Sequence, residues 1–360
     1  MFFLAAFFLL LGGCQSISKQ QTNPDPIIGV KVYKLDADPG QTFEAWAALG
    51  INTVFADASL LTEEFRTLAK QYKMGIFIIL PVFYDPEALH KDTSLYAITS
   101  QGEKAIEEWV EFVCPSREDY RTRKIDTIRK LIADLDPDGI SLDFIRYFCF
   151  WEKVYQDRHP DSLPSTCFNE HCLQQFQTDT RISIPVSLSS IPEKAQWIRM
   201  NYYEEWTSWK CSLITSFVKE ASTEAKKIKP DILINVHAVP WRKDDYDNAI
   251  RHIIGQDFPD IAEYVDMISP MTYAHMVKRE PSWIHDVVKD LDNQVDTWIV
   301  PSIQVNKAYL DEPLETEEFE QYVREALKPP SSGVIFWSWE QLKDSPEKKV
   351  IVQKLLHEPF

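Results

Sequence analysis

The chain has 360 residues, 55 acidic against 38 basic side chains for a net charge of −17, and 44% hydrophobic content. That length buries a large core, as one big domain or two average ones, and the acidic balance excludes a surface that tracks nucleic-acid phosphates. It also carries 11 Trp and 14 Tyr, whose flat apolar faces and polar tips suit stacking on sugar rings as well as ordinary core packing.

The first segment is an apolar run from Phe2 to Leu11, of signal-peptide length and too short to stay in a bilayer as a spanning helix. It ends in Leu11-Gly12-Gly13-Cys14, which looks like a bacterial lipobox. Residues 1–14 are therefore expected to be a lipoprotein signal peptide, with Cys14 acylated and holding the protein to a membrane. The pattern departs in having no Lys or Arg after Met1. Gln15 stands where an inner-membrane retention signal has Asp, so an outer-membrane or cell-surface location is expected. Residues 15–26 are polar, with Pro24 and Pro26, and read as a tether. Residues 27–360 read as one domain.

From Ile27 onward, short apolar runs alternate with amphipathic ones. Strands are expected at Ile27–Tyr33, Thr53–Ala58, Gly75–Phe83, Gly139–Arg146, Ile232–Val239, Val265–Thr272, Trp298–Val305 and Gly333–Trp339. Helices are expected at Thr42–Leu49, closed by Gly50, and at Glu63–Tyr72, Arg121–Leu135, Lys194–Lys229, Trp283–Leu291, Glu317–Leu327 and Glu347–Leu356. A long insertion, roughly Tyr147–Glu193, follows the fourth strand. Gly75–Phe83 is continuously apolar, as a parallel strand covered on both faces must be. Eight alternations over this length are the count of a (β/α)8 TIM barrel in a single domain. A doubly wound open sheet would want a Gly-rich loop after the first strand, and Lys34-Leu35-Asp36-Ala37-Asp38 is not one.

In a barrel the C-terminal strand ends share one cleft. Read in order they offer Lys31 and Tyr33, Asp57, Tyr84 and Asp85, Asp143 and Arg146, His237 and Trp241, Met271 and Tyr273, Gln304 and Asn306, and Trp337, Trp339 and Glu340. No Gly-x-Ser-x-Gly elbow, His-x-x-x-His pair or phosphate loop occurs, so serine-nucleophile, metal-hydrolase and phosphoryl-transfer chemistry have no support. Carboxylates among aromatics point instead to glycosidic cleavage. That reaction needs one carboxyl to protonate the leaving oxygen and a second to attack the anomeric carbon or activate water.

Cys114-Pro115-Ser116, a helix, then Asp138-Gly139-Ile140-Ser141-Leu142-Asp143-Phe144-Ile145-Arg146-Tyr147 resembles a region of glycosyl hydrolase-like family 10 and related glycoside hydrolase barrels. Ser269-Pro270-Met271-Thr272-Tyr273 and Gly333-Val334-Ile335-Phe336-Trp337-Ser338-Trp339 add to the likeness. The resemblance implies a barrel with Asp143 at the catalytic position of the fourth strand. Phe148 departs from it, standing where a proline is common.

Asp143 is the first catalytic candidate. The second carboxyl is open among Glu340, after the last strand, Glu152, where Trp151-Glu152 can fold back over the cleft, and Asp57, at the end of the second strand. Asp138 and Asp266 begin strands and belong to the bottom of the barrel. Arg146, His237, Trp241, Tyr273, Gln304, Trp337 and Trp339 are the binding candidates. Strand alternation sets Trp337 and Trp339 on one face, and Arg146 on the face opposite Asp143 unless the chain bends. Cys167 and Cys172, or Cys114 and Cys149, have disulfide potential. Cys167, His171 and Cys172 lack a standard zinc spacing and a fourth ligand, so neither metal nor cofactor is expected. The expected function is an exported glycoside hydrolase acting on a poly- or oligosaccharide. The alternative is a catalytically silent carbohydrate-binding lipoprotein on the same barrel. Sequence leaves the oligomeric state open.

Overall fold

The computed structural model describes residues 25–36 and 38–356. The expected signal peptide, Cys14 and nearly all of the expected tether lie outside the described residues. Nine parallel strands form one curled sheet: β1 Ile27–Val32, β2 Thr53–Ala56, β3 Gly75–Pro81, β4 Gly139–Asp143, β5 Leu233–Ala238, β6 Met267–Pro270, β7 Trp298–Ile299, β8 Ser302–Gln304 and β9 Gly333–Trp337. Neighbours follow chain order except that β8 and β9 lead into β1. The two edge strands, β7 and β8, are successive pieces of one segment. Val300 and Pro301 part them, and Pro301 has no N–H to donate. The Val300 amide still bonds the Ile268 carbonyl at 3.0 Å and the Ile335 amide bonds the Pro301 carbonyl at 2.9 Å. Between Leu95 and Cys114, a two-residue hairpin (Ile106–Glu107 with Val110–Glu111) projects from the β3 side.

The longer helices among the described residues are α1 Pro39–Ala48, α2 Glu63–Tyr72, α3 Glu118–Leu135, α4 Glu170–Thr180, α5 Ile191–Asn201, α6 Tyr203–Ile228, α7 Ser282–Asp292, α8 Thr316–Leu327 and α9 Pro346–Leu356. α1 starts earlier than its apolar pattern because Asp38 caps the Gln41 amide at 3.1 Å and Pro39 fits the first helical position. The single helix expected over Lys194–Lys229 is two, broken at Tyr202. β4 stops at Asp143, three residues short of expectation. Phe144 adopts φ 48°, which turns the chain out of the strand. The stretch after it runs through the interior: Tyr147 to Trp151 are all buried.

Alternation explains the layering inside the curl. Outward residues such as Val30, Ile140 and Val236 pack under the helices in the main core. Inward residues near the strand starts make a smaller apolar cluster of Phe55, Phe77, Ile79, Met267, Val300 and Ile335. Phe55 and Phe77 stack at 4.8 Å, and glycine is needed opposite them: a Cβ on Gly139 would sit 2.3 Å from Phe77. One step further along, the inward residues turn polar: Lys31, Ser141, Asn235, His237, Ser269 and Ser302, all buried.

Candidate active site

The buried polar layer is a connected network. Lys31 Nζ donates to Tyr273 Oη at 3.2 Å and lies 3.3 Å from His237 Nδ1. An ammonium can only donate, so Nδ1 is the acceptor and Nε2–H donates to Ser141 Oγ at 2.8 Å. Asn235 Nδ2 reaches the same Ser141 Oγ at 2.7 Å, and Ser269 Oγ donates to Asn235 Oδ1 at 3.0 Å. Burial, and then the neighbouring Lys31, push His237 down to about 3, so the imidazole is neutral. Burial lowers Lys31 to about 8, against the opposing pull of Asp143.

Above this layer opens a cavity of about 480 Å³, lined among others by Lys31, Asp143, Arg146, Trp151, Glu152, Tyr273 and Trp337. Asp143, half-buried, ends β4; its Oδ1 accepts from the Phe144 amide at 2.8 Å. The turn at Phe144 is a bend at the strand end that carries Arg146 round to the same cavity. The Arg146 guanidinium is buried, donates to the carbonyls of Cys149 at 2.8 Å and Tyr147 at 3.2 Å, and lies 4.8 Å from the Phe112 ring. It thereby fixes the loop that brings Trp151 and Glu152 back over the cleft. Burial raises Glu152 to about 7, with Arg146 pulling the other way. Its Oε2 is buried and has no hydrogen-bond partner. Two further lining residues hold unpartnered buried polar atoms, Trp151 Nε1 and Gln341 Oε1. The residues around the cavity thus include one donor and two acceptor atoms that are buried and unbonded.

Aromatic rings form the walls. Tyr273 and Trp337 stack at 4.4 Å, and Tyr84 and Phe144 stack at 4.8 Å. Trp109 from the hairpin and Tyr309 from the loop after β8 stand at the rim, 40% and 43% exposed. Sequence reading passed over Trp109, Tyr309 and Gln341, since each lies in a loop or short helix without periodicity. A large aromatic in a polar loop is the one signal Trp109 and Tyr309 carry, and Gln341 carries none.

Several candidates lie elsewhere. Glu340 Oε1 accepts the amides of Tyr33 at 2.7 Å and Lys34 at 2.8 Å, tying down the loop after β1, and is not among the residues lining the cavity. Asp57 is exposed and caps the turn Ala58–Leu60 through the Ser59 amide at 2.8 Å. Asp85 caps the short helix Pro86–Lys91 and pairs with Lys124 at 2.9 Å. His237 lies beneath the cavity behind Lys31. Gln304 is spent on the backbone, accepting from the Met276 amide at 2.8 Å and donating to the Asn306 carbonyl at 2.9 Å. Trp241 is buried against Tyr246 at 5.0 Å. Trp337 and Trp339 part company: β9 ends at Trp337, a short helix starts at Trp339, and Trp339 packs edge-on to Trp46 of α1 at 5.8 Å. Strand alternation stops applying where the strand stops. Asp138 and Asp266 do serve the bottom, accepting the amides of Ile76 at 2.8 Å and Ile234 at 2.9 Å.

A family model described as "Putative glycosyl hydrolase domain" matches residues 51–288. Among curated proteins none matches the chain. Among solved structures, the glycoside hydrolase domain of PgaB (BpsB) from Bordetella bronchiseptica is similar with TM-score 0.67 and 13% identity, over 91% of this chain and 98% of that one. The β-galactosidase of Halorubrum lacusprofundi gives 0.62 and 11%, over 87% of this chain and 52% of that one. A catalytic mutant of Gan42B, a GH42 β-galactosidase from G. stearothermophilus, gives 0.60 and 12%, over 92% and 57%. The chain spans little more than half the length of those galactosidases, and at such identities the likeness is one of fold.

Proposed function

The chain belongs to the "Putative glycosyl hydrolase domain" family, and from that premise we propose that it hydrolyses O-glycosidic bonds in a poly- or oligosaccharide, with Glu152 as proton donor and Asp143 as the second carboxyl. The observation that carries this reading is Glu152 itself: a buried carboxyl in the same cavity as Asp143, held up to about 7 by its surroundings, with Oε2 unbonded. A carboxyl raised in this way keeps its proton at neutral pH for the leaving-group oxygen. Asp143 meets the positive charge that develops at the anomeric carbon, and Lys31 and Arg146 line the same cavity. The stacked Tyr273 and Trp337 suit the apolar face of a sugar ring, and Gln341 Oε1 and Trp151 Nε1 suit its hydroxyls. The motif likeness to glycosyl hydrolase-like family 10 agrees with the closed (β/α)8 barrel that this reading assumes.

The test is reducing-end release from a panel of bacterial and plant polysaccharides by the wild type and Asp143→Asn. Release by the wild type and its loss in a folded Asp143→Asn is expected. A folded wild type that releases no sugar from any glycan defeats the proposal. The Leu11-Gly12-Gly13-Cys14 motif supports export and a lipid anchor at Cys14 at the outer membrane or cell surface. Labelled palmitate should enter the wild type and not Cys14→Ser; equal labelling in both would discard the anchor.

A further inference from the structure

Away from the cavity, three cysteines from two distant parts of the sequence meet. Cys114 follows the hairpin, and Cys167 and Cys172 flank the start of α4; all three are fully buried. Their sulfurs lie within 4.8 Å of one another, with Cys114 Sγ 3.1 Å from Cys172 Sγ. Ser116 Oγ sits 3.1 Å from each of those two sulfurs. The Ile98 amide donates to Cys167 Sγ at 3.3 Å. The Tyr147 hydroxyl is buried without a partner.

We propose that Cys114, Cys167 and Cys172 form a structural site for a thiophilic divalent cation of the zinc class, with Ser116 Oγ offering the fourth donor. A tetrahedral zinc holds sulfur at about 2.3 Å, which sets sulfurs about 3.8 Å apart, within the span seen here. A disulfide would join two sulfurs at about 2.05 Å and leave the third, and the hydroxyl, pressed against it for no purpose. A cation entering this dry pocket would displace the thiol protons and be held by the three sulfurs. His171, beside Cys172, is not one of the grouped donors, and its Nε2 donates to the Ser116 carbonyl at 3.2 Å. The site joins the loop after β3 to the downstream end of the loop that carries Glu152. It therefore acts as a staple for the mouth of the cavity, whatever reaction occurs there.

The experiment uses the full chain, purified without chelator. Metal is counted by plasma mass spectrometry, thiols are counted in denaturant, and Co²⁺ is exchanged in. Stoichiometric zinc is expected in the wild type, lost in Cys114→Ser and Cys172→Ser and kept in Cys211→Ser, whose sulfur lies outside the group. The Co²⁺ form should show sulfur-to-metal charge transfer in the near ultraviolet and tetrahedral d–d bands. Chelation should lower the melting temperature and zinc should restore it. Metal-free wild type that takes up no Co²⁺ overturns the proposal, whether its thiols titrate as free or a Cys114–Cys172 disulfide appears by mass. Should the serine variants fail to fold, the wild-type metal content and Co²⁺ spectrum decide alone.

Discussion

Glu152 shows how position changes the chemistry of a side chain. In sequence it is one acid among many, beside a tryptophan. In the fold it is buried with an unbonded oxygen, and it gains a proton affinity suited to acid catalysis. The pH profile of kcat/KM should fall as pH rises through about 7, and Glu152→Gln should remove that limb and cost about 10²–10⁴ in kcat. The loss should shrink on aryl glycosides whose leaving groups need no proton. An unchanged limb in the variant would give the acid role to another group. The raised value also means that the folded state holds a proton the unfolded chain has lost between the ordinary 4.5 and about 7. Stability therefore falls with rising pH across that window, and above it Glu152→Gln should be the more stable form by up to roughly 3 kcal/mol, measured by urea unfolding.

At the scale of elements, strand ends decide the site. β4 delivers Asp143 because inward alternation from Gly139 through Ser141 reaches it at the rim. The glycine at the other end is required by Phe77. Gly139→Ala forces the added methyl into that ring and should destabilise the fold by about 1–3 kcal/mol, read from the shift in urea midpoint. No shift would mean that the lower layer is looser than its packing indicates. Elsewhere the ends defeat simple alternation: Phe144 rotates Arg146 into the cavity, and the start of a helix at Trp339 sends one tryptophan outward while Trp337 stays in. A periodicity holds only while its hydrogen-bond ladder continues.

At the scale of the whole molecule, the polar layer makes stability depend on pH. His237 is neutral in the fold down to about 3, whereas the unfolded chain charges near 6.5. Between those values the unfolded state binds the extra proton, so this residue makes stability fall as pH falls from 6.5 toward 3. Lys31 acts at the other end: it deprotonates near 8 in the fold against 10.5 unfolded, so stability gains as pH rises across that range. His237→Asn should flatten the acid slope of unfolding free energy, whatever it does to the absolute value. An unaltered slope would trace acid sensitivity to the carboxylates instead.

The strand and helix order and the polar strand ends were legible in the sequence because they are local. A run of alternating or apolar residues fixes its own period, and glycines and prolines mark where it ends. The motif Asp138 to Tyr147 named Asp143 for the same reason, since a strand presents its last inward residue at the sheet's rim. What only the tertiary structure decided is contact between distant segments. Glu152, rather than Glu340 or Asp57, shares the cavity with Asp143, because Arg146 folds its loop back while the other two are taken up by nearby amides. Trp109, Tyr309 and Gln341 reach the cavity, and Cys114 meets Cys167 and Cys172, through loops whose course no periodicity encodes. Burial, too, belongs to the assembled molecule: a sequence lists a carboxyl and a lysine, and only the packing around Glu152 and Lys31 sets which proton each one keeps.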